Sequence, residues 1–146
     1  LMIGPTGVGK TWLACAFGHQ AIRQSMSVLY FRVNRLLEET VIARADGSLP
    51  KLRSKIARCR LLILDDWGLS PLTEVGKQDL LEFVDDRTGS GSIVIASQLP
   101  VKNWYDYINE PTLADAILDR IVHRAHKIEL SGASMRKKLG MEQGGV

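Results

Sequence analysis

The sequence has 146 residues, is 45% hydrophobic and 24% charged, and carries a formal net charge of +3. That length suits one compact domain, and the apolar share excludes wholesale disorder. No apolar run approaches the roughly 20 residues that cross a bilayer, so a membrane-spanning helix is excluded. The chain opens inside a hydrophobic segment, Leu1-Met2-Ile3, with no starting Met and no basic-then-apolar leader, and reads as a piece cut from something longer. Cys15 and Cys59 are too few for a disulfide framework and lack the close partners of a zinc site. They read as free thiols in a reducing compartment, so a cytoplasmic location is expected. His19, His123 and His126 share no metal-ligand spacing and read as structural.

Along the chain, short apolar runs alternate with amphipathic stretches. Leu1–Ile3 reads as the end of a strand, followed by a glycine-rich turn and a helix from about Lys10 to Gln24. Leu13, Ala16, Phe17 and Ala21 share one face of that helix. Val28–Phe31 reads as a second strand and Asn34–Arg44 as a second helix. Asp46-Gly47-Ser48 then breaks the pattern before a basic helical stretch near Leu52–Ala57. Leu61–Leu64 is a continuous apolar run of the kind buried on both faces of a parallel sheet. Thr73 is a suitable N-cap for a helix reaching Arg87, and Ser92–Ala96 is a further buried strand. Thr112 and Asp115 approximate a capping box for a helix to about His123. His126–Leu130 alternates like an exposed strand, and the chain beyond Met135 is basic, then glycine-rich, and reads as frayed.

Strands separated by helices imply parallel pairing through right-handed crossovers, with ligands held beyond the carboxyl ends of the strands. There lies Gly4-Pro5-Thr6-Gly7-Val8-Gly9-Lys10-Thr11, a full match to G-x-x-x-x-G-K-[ST] between an apolar run and a helix. The glycines let backbone N–H groups turn inward toward phosphate oxygens, and the following helix adds its positive end. Lys10 can reach the β- and γ-phosphates, and the Thr11 hydroxyl can ligate Mg²⁺. Asp65 and Asp66, at the end of the Leu61–Leu64 run, supply the second half of such a site. Two adjacent acids ending a buried strand are costly to desolvate without a cation. Asp65 suits the metal and Asp66 the polarisation of an attacking water. ATP or GTP with Mg²⁺ is the expected ligand.

Beyond these two motifs, the blocks LLILDDWGL (61–69), Ser97-Gln98-Leu99-Pro100 with Trp104, ADAILDRIVH (114–123) and GASMRK (132–137) resemble the IstB-like ATPases. These are AAA+ helper proteins of bacterial insertion sequences, related to the DnaC helicase loader. The resemblance implies an α/β fold, the AAA+ P-loop NTPase three-layer sandwich with a mostly parallel sheet. It further implies a chain truncated at the N-terminus and lacking most of the helical lid, with an ATPase core over 1–138 and a disordered tail over 139–146. It assigns Gln98 to the sensor I position, Arg120 to the arginine finger reaching a neighbouring subunit, and Arg136 to sensor II. Arg120 could equally pair with Asp115 or Asp119 on its own helix, and Arg136 could be one of a solvated basic trio with Lys137 and Lys138. Asp66 stands where many AAA+ enzymes carry Glu, one methylene longer, so slow basal hydrolysis is expected.

The charge is uneven. Arg32, Arg35, Arg44, Lys51, Arg53, Lys55, Arg58 and Arg60 face only Glu38, Glu39 and Asp46 over 32–60. Such a segment can lie along a phosphate backbone or form a solvated helix face. The resemblance favours duplex DNA, with Lys51, Arg53 and Lys55 as contacts. It also implies head-to-tail homo-oligomers, a cognate transposase as partner, and ATP-driven assembly on DNA that directs the transposase to its target. The alternatives are a DnaC-like loader acting as an ATP-gated binding module and a small-molecule kinase. For the kinase no second-substrate pocket or arginine-bearing lid is evident.

Overall fold

A computed structural model describes residues 1–143. Five strands, β1 (Met2–Ile3), β2 (Val28–Arg32), β3 (Leu61–Trp67), β4 (Ser92–Ser97) and β5 (Ile128–Glu129), form one sheet in the order β2-β3-β4-β1-β5. Every pairing is parallel, as chain segments returning through helices require. The helices are α1 (Lys10–Arg23), α2 (Val33–Asp46), α3 (Leu49–Arg58), α4 (Glu74–Arg87), α5 (Trp104–Ile108), α6 (Pro111–Val122) and α7 (Met135–Gln143). The expected α/β three-layer architecture is present.

Alternation along the buried strands divides the core in two. Leu61, Ile63 and Ala96 pack with Met2 and Ala14 beneath α1. Leu62, Leu64 and Ile95 face the other way into a larger cluster with Leu36, Ile56, Leu80, Phe83, Ile117 and Trp104. That split is why the Leu61–Leu64 run carries no polar residue: each side chain is apolar because both faces are covered. The Arg87 side chain, 1% exposed, ties the layers together by donating to the carbonyls of Ile56 (2.6 Å), Cys59 (2.9 Å) and Ser92 (2.7 Å). Two of those carbonyls lie at the end of α3, where helix carbonyls lack intrahelical partners and a cation is favoured.

Several boundaries differ from expectation for physical reasons. The strand carrying the paired acids does not stop at them: β3 runs to Trp67 through a register shift between Leu64 and Trp67. Trp67 anchors that extension by packing on Trp104 and Tyr107, with ring centroids 5.2 and 6.1 Å away. α5, absent from the sequence reading, supplies both partners. The cap of α6 is Glu110, not Thr112, and its carboxylate accepts from the N–H groups of Thr112 and Leu113. Pro111 sets this, because proline favours the first helical position and so moves the cap one residue upstream of itself. Thr73 does cap α4, accepting from Gly76 N–H at 3.0 Å. Past Met135 the chain is helical to Gln143, where a frayed segment was expected. Residues 144–146 of the expected tail lie outside the described residues. No described helix is long and apolar enough to cross a membrane.

Candidate functional site

The carboxyl ends of β3, β4 and β1 lie along one rim in that order, and the loop 4–9 springs from β1, beside the end of β4. Gly7 and Gly9 have φ of +81° and +108°, a region where side chains are strained, and a methyl on Gly7 would lie 2.3 Å from Ser134 Oγ. A methyl on Gly4 would lie 2.4 Å from the Leu130 carbonyl oxygen. The loop is thus close-packed against the segment leading into α7. The Met135 N–H also donates to the Gly7 carbonyl at 2.8 Å. α1 starts directly from Gly9 with no side chain capping it, so its first N–H groups are free to meet an anion.

Lys10 folds back over this loop, its ammonium donating to the carbonyls of Gly4 (2.7 Å) and Pro5 (2.8 Å). Partial burial lowers its pKa, an effect opposed by Asp65 and Asp66 and reinforced by Arg136. Arg136 therefore lies near enough for its charge to be felt at Lys10, although its side chain is exposed. Gln98, just past β4, reaches the loop from the other side: the Thr6 hydroxyl donates to its Oε1 at 2.5 Å. Pro5 and Val8 complete the loop without side-chain hydrogen bonds of their own among the described residues.

The two acids differ sharply. Asp65 is 2% exposed. Its Oδ2 accepts from Thr11 Oγ1 (2.7 Å) and from the Tyr30 hydroxyl (2.6 Å), while its Oδ1 accepts from the Asp66 N–H (2.8 Å). Burial and the bond to Asp65 push the Tyr30 phenol up to about 12. Asp66 has φ of +57° and its half-exposed carboxylate faces Arg32 Nε at 3.6 Å. Tyr30 and Arg32 were both missed from sequence. The only signal was their i, i+2 spacing on a strand that pairs with the one bearing the acids.

Thr11 and Asp65 offer hard oxygen donors 2.7 Å apart beside the loop. Among the described residues no group of three or more His, Cys, Asp or Glu side chains could hold a metal. A hydroxyl and one carboxylate, with phosphate and water oxygens completing the shell, is the sparse protein contribution that suits Mg²⁺. The residues fit that ion.

Other expected site residues lie elsewhere. Arg120 on α6 pairs with Asp85 of α4 and donates to the Ala116 carbonyl at 2.7 Å, so neither Asp115 nor Asp119 is its partner. Lys51 and Lys55 are exposed on α3. Arg53 is not a free cation: it bonds both oxygens of Asp86 (2.9 and 3.0 Å) and one of Glu82 (2.5 Å), joining α3 to α4. Its guanidinium is thus shared with two carboxylates, and Lys51 and Lys55 are the exposed cations of the expected set.

Known proteins are similar to this chain over most of its length. A family profile described as IstB-like ATP binding protein matches residues 1–142. The chain is 56% identical over 134 residues to y4pL of Sinorhizobium fredii, named as an insertion sequence ATP-binding protein, covering 92% of this chain and 55% of y4pL. It is 49% identical over 136 residues to y4uH of the same organism, named likewise, covering 93% and 55%. It thus spans about half the length of these relatives. Among solved structures, DnaI superposes with a TM-score of 0.77 at 23% identity, covering 90% of this chain and 72% of DnaI. The DnaC helicase loader superposes with a TM-score of 0.70 at 17% identity, covering 89% and 76%. Those two likenesses show a shared α/β fold. The glycine loop, the acid pair and the match over nearly the whole length make this chain a member of the IstB-like ATP binding protein family.

Proposed function

We propose that the protein is a Mg²⁺-dependent ATPase that assembles head-to-tail on duplex DNA and directs a cognate transposase to its target. The observation that carries the reading is the meeting of the Thr11 hydroxyl and the buried Asp65 carboxylate at 2.7 Å beside a loop held together by Lys10. The loop N–H groups and the Lys10 ammonium bind the β- and γ-phosphates. Thr11 and Asp65 hold the cation, which when bound supplies charge neutralisation on the phosphate oxygens. The Asp66 carboxylate, one residue on and half-exposed, accepts the proton of the attacking water. Gln98 and Arg136 contact the γ-phosphate side, and Arg120 serves the nucleotide of a neighbouring subunit once it leaves Asp85. Exposed Lys51 and Lys55, with Arg58 one turn further along α3, form the DNA-facing stripe, giving affinity that falls with salt.

The names of the relatives support the insertion-sequence setting, whereas the likeness to helicase loaders is one of fold. The test is steady-state ATP hydrolysis with and without duplex DNA, comparing the parent with Lys10→Ala and Arg120→Ala. DNA is expected to stimulate the parent, Lys10→Ala to abolish nucleotide uptake, and Arg120→Ala to remove turnover while sparing binding. Indifference to DNA together with an unaffected Arg120→Ala would overturn the assembly model.

A further inference from the structure

The Asp65 carboxylate is the cation-side acid of the reading above, on which this inference rests. An aspartate fixes its carboxylate plane poorly by itself, because rotation about the bond to the carboxyl carbon is broad. Here that plane is set by donors. The Asp66 N–H takes Oδ1, and two hydroxyls converge on Oδ2. One of the two, Thr11, belongs to the phosphate loop and itself faces the cation. The other, Tyr30, comes from β2, outside both the loop and Asp65's own strand.

The sheet register explains the reach. Tyr30 lies opposite Ile63 and Arg32 opposite Asp65, so Tyr30 and Asp65 are diagonal neighbours on one face of the β2–β3 pair. Such neighbours lie farther apart than directly opposed residues, and the long Tyr30 side chain closes the gap to a 2.6 Å hydrogen bond. The phenol also carries no charge. It can orient a carboxylate without neutralising it, whereas lysine or arginine at this position would compete with the cation.

We infer that Tyr30 is a positioning residue for the divalent-cation side of the site: its hydroxyl holds the Asp65 carboxylate in the plane that receives the ion. Tyr30 acts through Asp65, to which its hydroxyl donates at 2.6 Å.

Tyr30→Phe deletes one oxygen and keeps the ring, at a residue 39% exposed, so the fold is not at risk. Binding of a fluorescent ATP analogue is measured in EDTA and across a Mg²⁺ series, and ATP turnover across the same series. In EDTA the variant binds as the parent does. The Mg²⁺ concentration for half-maximal binding and turnover rises about tenfold, the scale on which partners of a metal ligand act. Turnover at saturating Mg²⁺ recovers most of the parent's value. Mn²⁺ bound in the presence of ATP, counted by electron paramagnetic resonance, shifts in the same sense. A Mg²⁺ curve superimposing on the parent's overturns the inference. So does an equal loss of affinity in EDTA, which marks a strand residue of general structural effect. A parent that binds nucleotide with no response to Mg²⁺ overturns instead the reading on which the inference rests.

Discussion

Asp65 and Asp66 are chemically identical and adjacent, yet the fold treats them as opposites. Asp65 is buried and still in register with Arg32 of β2, with three donors on its two oxygens. Asp66 sits at φ +57° in the register shift of β3, half-exposed, its carboxylate facing one arginine at 3.6 Å. In the proposed reading, the first would give a bound cation a fixed ligand. The second keeps the exposure that a group taking a proton from an attacking water would need. The left-handed backbone at Asp66 coincides with the point where β3 leaves its register with β4. Trp67 then restores the strand by packing against Trp104 and Tyr107.

Breaking the pinned member gives the largest effect. Asp65→Ala removes the carboxylate from Thr11 and Tyr30, and Mg²⁺-dependent ATP turnover is expected to fall about a thousandfold. A colorimetric phosphate assay across a Mg²⁺ series checks this. Breaking the adjustable member costs less and separates chemistry from binding. Asp66→Asn should lower turnover about a hundredfold while leaving nucleotide affinity intact. Its stability should stay within about 0.5 kcal/mol of the parent, because asparagine tolerates left-handed backbone as well as aspartate does. Turnover and denaturant unfolding on the same preparation decide the matter. A variant as unstable as it is inactive would mean that Asp66 is a structural residue and the contrast false.

The smallest effect concerns the support behind Asp66. Burial pushes the Tyr107 phenol up to about 12, from an ordinary 10, and its hydroxyl donates to the Ser70 carbonyl at 2.8 Å. A folded-state pKa above the unfolded one means that the neutral phenol stabilises the fold fully below pH 10. That stabilisation drains away as pH climbs through 12. Denaturant unfolding across this alkaline window should show a smaller loss in Tyr107→Phe than in the parent.

Much of the site was legible because it lies in consecutive residues: the loop 4–11 and the pair Asp65-Asp66 announce their chemistry through spacing alone. Gln98 was legible only through resemblance, and its bond to Thr6 joins residues 92 positions apart. What stayed hidden depended on pairing between elements. Tyr30 gains its meaning from a strand register, which a strand pattern does not reveal. Arg53 reads as a free cation until α3 packs on α4 and brings Asp86 and Glu82 to it. Arg120 reads as a finger or a local pair until the same α4 presents Asp85. α5 is too short for periodicity to register, and its aromatic residues are explained by Trp67, a contact no local rule contains.

The contact between Gly7 and the approach to α7 has a mechanical consequence. The carbonyl of Gly7 is bonded to the first amide of that helix, and Ser134 fills the space a β-carbon would need. Moving the glycine turn or the helix start alone would break that bond and open that contact, so the exposed Arg136, Lys137 and Lys138 are joined to the rim through the start of α7.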